Sequence, residues 1–77
     1  MRPKPGDLVE VFYSAGGGSG AYTFAQPKEQ RWFPNGTAGV VLELAFPKVH
    51  TNMFNILIDG SVHCIQMNYL RVISETR

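Results

Sequence analysis

The sequence predicts an all-β protein: a small five-stranded antiparallel barrel with a long first loop and a short 3₁₀ turn before the last strand. Three observations predict it. Apolar residues recur with a period of two, and nowhere do ten residues repeat at 3.6. Turn signals such as Asn35-Gly36 and Asp59-Gly60 punctuate the runs. Five strands within 77 residues must also curl on themselves to bury the ends of their sheet.

The first strand is "GDLVEVFY", Gly6 to Tyr13, in which Val9, Val11 and Tyr13 alternate with Leu8, Glu10 and Phe12. The second, "NGTAGVVLELAF", runs from the Asn35-Gly36 turn to Phe46, and Pro47 stops it because proline cannot donate to a ladder. "NMFNILI", "VHCIQ" and "LRVI" are the third, fourth and fifth. "QMNY" is too short for an α-helix and suits one 3₁₀ turn. No internal repeat is present.

The register of the third and fourth strands decides where His63 points. With Asp59-Gly60 as a two-residue turn, Ile58 faces Ser61, Ile56 faces His63 and Phe54 faces Ile65. With a three-residue loop and a glycine bulge, Ile58 faces Val62 and Ile56 faces Cys64. A slip of one residue exchanges the faces. The bulged turn is expected, since it keeps the imidazole out of an aliphatic core and turns Cys64 into it.

Composition bounds the rest. Residues 1–77 are expected to form one domain, with a marginal core, since a chain of this size buries only about 60% of its unfolded surface. Hydrophobic residues at 44% and charged residues at 17% exclude a disordered tail. The formal charge is +1, and Arg2, Lys4, Lys28, Arg31, Lys48, Arg71 and Arg77 form no block. That spread argues against binding nucleic acid by counterion release. No apolar run reaches membrane-spanning length, and "MRPKPGD" lacks the apolar stretch of a signal peptide. Cys64 is the single cysteine, so no disulfide framework is expected and a reducing compartment is.

Between the first two strands lies a loop, residues 14–36, glycine-rich in its first half. Its second half carries Tyr22, Phe24, Trp32 and Phe33 with Pro27 and Pro34. Four aromatics are too many for a bare linker. Either they fold back as a lid over an open barrel end, or some face outward as a contact surface, Trp32 foremost. The glycine run, Gly16 to Gly20, is no phosphate loop, because no Lys-Ser or Lys-Thr and no helix follows it.

No catalytic or metal-ligating set emerges, and no cofactor is expected. His63 and Cys64 are neighbours on a strand and point to opposite faces, which prevents a thiolate–imidazolium pair. His50 has no second ligand near it in sequence. The acids Asp7, Glu10, Glu29, Glu43, Asp59 and Glu75 form no pair that sequence brings together, and Asp59 and Asp7 fit a turn and a strand entry.

The layout "PGDLVEV", long loop, "NGTAGVVLEL", "NILIDGSVHCI", "NYLRVI" resembles the small SH3-like barrels of bacteria and phages, in particular those encoded by marine and cyanobacterial phages. The resemblance covers the chain except residues 14–36. It implies the barrel fold and not one job, because this barrel hosts many unrelated functions. "MNYL" resembles the Asn-Tyr turn closing peptide-binding SH3 domains, which implies Asn68 and Tyr69 beside a groove. The acidic loop and paired aromatics of those domains have no counterpart here. Gly36 to Val41 resembles the KOW module, which implies RNA or protein contacts. The small SH3-like subunits of photosystem one and of ferredoxin–thioredoxin reductase share the size and the GD-x-V opening, and imply a docking subunit. "GSVHCIQMNYLRVI" is similar in layout to the last hairpin of type II dihydrofolate reductases. There His63 and Ile65 would replace a glutamine and a tyrosine.

The expected function is therefore that of a non-catalytic SH3-like module of phage type, docking on a protein partner or self-associating as a homo-oligomer. Its expected contact residues are Tyr22, Trp32, Phe33 and Tyr69, with Gly16 to Gly20 letting the loop adapt. The alternative is a nucleic-acid-binding barrel, and the third reading is the reductase-like enzyme. No membrane partner is expected, and the place is the host cytoplasm or the virion, without secretion.

Overall fold

The computed structural model describes residues 2–13, 17–24, 29–45 and 52–74. Among the described residues seven strands follow one another: β1 (Leu8–Val11), β2 (Gly20–Tyr22), β3 (Trp32–Pro34), β4 (Ala38–Leu44), β5 (Met53–Ile58), β6 (Ser61–Gln66) and β7 (Leu70–Ser74). A 3₁₀ turn, Met67–Tyr69, joins the last two. The fold is all-β. Five strands form an antiparallel sheet in the order β6-β5-β4-β1-β7, and β2 and β3 form a separate antiparallel pair. Among the described residues no helix is long and apolar enough to cross a membrane.

The five strands expected from sequence are the five of the main sheet. Their bounds shrink where turn chemistry intervenes: Asn35-Gly36 is a turn, with Gly36 at φ 93°, so β4 begins only at Ala38. Phe46, Pro47 and His50, together with Gly16, Pro27 and Glu75, lie outside the described residues. At the entry to β1 the Lys4 amide donates to a buried Asp7 carboxylate oxygen at 3.0 Å, and the Asp7 amide donates back to the Lys4 carbonyl. Asp7 thus serves the strand's entry, as its position suggested.

Alternation builds the core. Val9 and Val11 of β1, Val41 of β4, Phe54, Ile56 and Ile58 of β5, and Ile65 of β6 turn inward and are buried. Gly39 lets β4 and β5 close up: a Cβ there would lie 2.9 Å from the Leu57 carbonyl oxygen and 2.6 Å from Ile56 Cγ2. The ladder slips between Val41 and Glu43, so Leu42 and Glu43 both face solvent and β4 bends.

The expected bulged turn is overturned. Ile58 pairs with Ser61, Ile56 with His63 and Phe54 with Ile65, so Asp59-Gly60 is a two-residue turn. Both residues have positive φ, 50° and 79°, as the type I′ hairpin turn requires. Its twist matches that of the strands, and no extra residue is needed. His63 therefore shares the face of Ile56, and Cys64, opposite Asn55, looks outward. The desolvation argument failed because that end of the sheet is not purely aliphatic. His63 is half-buried with its ring edge-on to Phe33, centroids 4.9 Å apart. Cys64 is no core thiol, but partial burial still pushes its pKa up.

Two outcomes follow. Gly39→Ala, meeting backbone, lowers the unfolding free energy by about 2 kcal/mol in urea titration. Gly60→Ala, meeting only the cost of positive φ in open space, lowers it by about 1 kcal/mol. Equal losses would mean that the close approach of β4 and β5 is not tight. Cys64 labels with a thiol reagent more slowly in the folded chain than in urea at mildly alkaline pH, because burial holds it protonated. The gap narrows as pH rises through the raised pKa. Equal rates throughout would contradict the partial burial.

Candidate functional site

The loop between β1 and β4 is not structureless. Residues Gly20–Tyr22 and Trp32–Pro34 pair as a short hairpin, with Gly20 opposite Pro34, Ala21 opposite Phe33 and Tyr22 opposite Trp32. Alternation gives this hairpin two unlike faces. Ala21 is buried, and both Ala21 and Phe33 pack on the core. Tyr22 and Trp32 point away, 58% and 46% exposed. The inward and outward placements foreseen as alternatives for these aromatics thus both occur, on the two faces of one element.

Three ties fix the hairpin on the main sheet. Asn35, just after β3, accepts from the Tyr13 amide through Oδ1 at 2.8 Å and donates to the Tyr13 carbonyl through Nδ2 at 3.1 Å. The Gly36 amide donates to the Val11 carbonyl. At the other end the Phe24 amide donates to the Cys64 carbonyl on β6 at 2.7 Å. Inside the hairpin the buried Thr23 hydroxyl accepts from the Arg31 amide at 2.9 Å.

The outward face borders a groove of about 500 Å³. Tyr13, Tyr22, Phe24, Trp32 and Tyr69 supply its aromatic walls, and Gln30 and Gln66 supply amides. No carboxylate, lysine or arginine lines it among the described residues. Tyr69 arrives from the 3₁₀ turn, whose carbonyl at Tyr69 accepts from the Phe12 amide, and its ring meets Tyr13 edge-on at 4.9 Å. Glycine makes the close approaches possible. A Cβ at Gly20 would fall 2.5 Å from the Trp32 ring, and one at Gly18 would fall 2.6 Å from the Tyr13 ring. These glycines act as a floor for aromatic rings, a role that the glycine-rich composition alone did not reveal.

Of the four residues expected at a contact site, Tyr22, Trp32 and Tyr69 share the groove. Phe33 does not. As the inward partner of Ala21 it lies against His63 and borders a separate hollow of about 250 Å³ with Arg31, Ile58 and Ser61. Asn68 is exposed and lines no part of the groove. Tyr13 and the two glutamines give no such signal in the sequence: Tyr13 fits strand alternation, and a lone glutamine, in a loop as Gln30 or on a strand as Gln66, marks nothing. Among the described residues no group of three histidine, cysteine or acidic side chains is placed to hold a metal.

Comparison of the chain with models of protein families, with curated proteins and with solved structures gave no match. The site is therefore read from its own geometry. Asn35→Ala removes both bonds to Tyr13. It should cost about 1–2 kcal/mol in chemical denaturation and speed exchange of the Tyr13 amide. Unchanged exchange at Tyr13 would show that the hairpin is held elsewhere.

Proposed function

We propose that the chain is a non-catalytic binding module of the small SH3-like kind, of phage type, which docks on a protein partner through the groove between its first-loop hairpin and its closing 3₁₀ turn. In this reading the five-stranded sheet and the hairpin lid together make the barrel. The observation that carries the reading is that the outward pair Tyr22–Trp32 shares one groove with Tyr69. Exposed aromatic area of this kind is costly in water and is the type of surface that supplies binding energy when covered. The turn before the last strand, which brings Tyr69 to the groove, supports the reading.

The groove's chemistry favours protein over nucleic acid. Stacking platforms for single strands work together with a basic channel, and here the lining is neutral among the described residues. Arg71, on the main sheet, is joined to Glu10 and lies over the Phe12 ring at 4.2 Å. A cytoplasmic or virion-associated place in a phage-infected cell fits a small docking module, and the reductase-like reading gains no support from the groove.

The test selects binding peptides from a random display library. Selected peptides should shift the emission of Trp32, the single tryptophan. They should lose at least about tenfold in affinity for Trp32→Ala, while that variant melts within a few degrees of the parent. Peptides that bind Trp32→Ala as tightly as the parent would defeat the assignment. So would homopolymeric RNA or DNA binding with a steep salt dependence that survives the substitution.

A further inference from the structure

Cross-strand register sets four aliphatic side chains in one row over the outer face of the main sheet. Val62 on β6 stands opposite Leu57 on β5, Leu57 opposite Val40 on β4, and Val40 opposite Leu8 on β1. Val62 is 57% exposed and the other three are each 37% exposed, with Leu42 beside them on β4 at 38%. An antiparallel sheet with one solvated face carries polar residues there. In "GVVL" and "ILI", by contrast, both faces are aliphatic, as in strands covered on both sides.

We infer that this row is a second contact surface, separate from the aromatic groove, and that its occupant is a second copy of this chain. Charge and register argue for that occupant. The row itself holds no ionisable group. Among the described residues Glu29 lies beside Val62, Glu43 lies beside the bulge in β4, and Glu10 is joined to Arg71. A formal charge of +1 leaves two copies with little mutual repulsion. A two-fold axis parallel to the strands through the middle of the row sets Leu57 of one copy against Val40 of the other, and Val62 against Leu8. The same axis brings Asn55 opposite Glu43, a neutral donor against a carboxylate, so the row is complementary to itself.

The five side chains expose on the order of 300–400 Å² of apolar surface, within the range of the largest patch on an ordinary monomer. A stable complex buries about 800 Å² per partner. The row therefore supports a reversible, concentration-dependent dimer and not an obligate one.

Sedimentation velocity of the full chain from about 10 µM to about 1 mM tests this. The parent should move from monomer toward dimer across that range. Leu57→Lys should raise the dissociation constant at least about tenfold, with the melting temperature of the monomer little changed. Val62→Lys, at the most exposed position, serves as the second variant should Leu57→Lys unfold. Trp32→Ala should dimerise as the parent does, and Leu57→Lys should bind groove-selected peptides as the parent does, so the two surfaces fail independently. A parent that stays monomeric at the highest concentration overturns the inference. Lysine variants that dimerise unchanged, or loss of the dimer in Trp32→Ala, also overturn it.

Discussion

The pairing of the Asn35 side chain with both main-chain groups of Tyr13 is the contact on which the rest of the site depends. An amide side chain here does what a strand neighbour would do, accepting from the peptide N–H and donating to its carbonyl. It continues the ladder of β1 past the point where β4 begins. Buried main-chain groups must be paired somewhere, and this arrangement satisfies Tyr13 while delivering β3 to the edge of the sheet. Tyr13, held so, presents its ring to Tyr69 and closes the groove from below.

From that anchorage the two-faced hairpin follows. With three residues in each strand, a single pair, Ala21–Phe33, faces the core, and the pairs on either side of it are free to differ. Ala21 is small because the core beneath is already occupied by branched aliphatic residues. Phe33 is large because it also covers His63. The reverse face could carry polar residues at no cost to packing, yet it carries Tyr22 and Trp32. In a chain whose buried surface is small to begin with, aromatic area left in water is stability forgone. This contrast between a sparing core and a generous surface is what the proposed contact site rests on.

The outer face of the main sheet repeats the pattern with aliphatic residues. Gly39 is inward and Val40 outward, so the largest side chains of β4 near the Asp59-Gly60 end sit on the solvent side. Gly39 in turn is demanded by the approach of β4 to Leu57, Ile56 and Ile58. Close spacing inside and apolar exposure outside thus belong to the same stretch of chain. The groove and the row differ in chemistry: aromatic with hydroxyl and amide groups in one, purely aliphatic in the other.

Much of the main sheet was legible in the sequence, because its strands are long enough for a period of two to show and their turns are marked by Asn-Gly and Asp-Gly. The alternation of β1 and the inward residues Phe54, Ile56 and Ile58 of β5 could be read off, as could the 3₁₀ turn that carries Tyr69. The direction of His63 could not. Both registers of the β5–β6 hairpin satisfy the local pattern. The choice depended on what lay above that end of the core, namely Phe33, some thirty residues away in the chain. Nor was the hairpin of β2 and β3 legible: three-residue strands rich in glycine and proline give no periodicity, and only their docking on β1 and β6 orders them. Sequence therefore determined which residues alternate and where the chain turns, since both are properties of neighbouring residues. Tertiary structure decided which aromatics share a groove and which one covers the histidine, since those depend on pairings between segments that local preference leaves free.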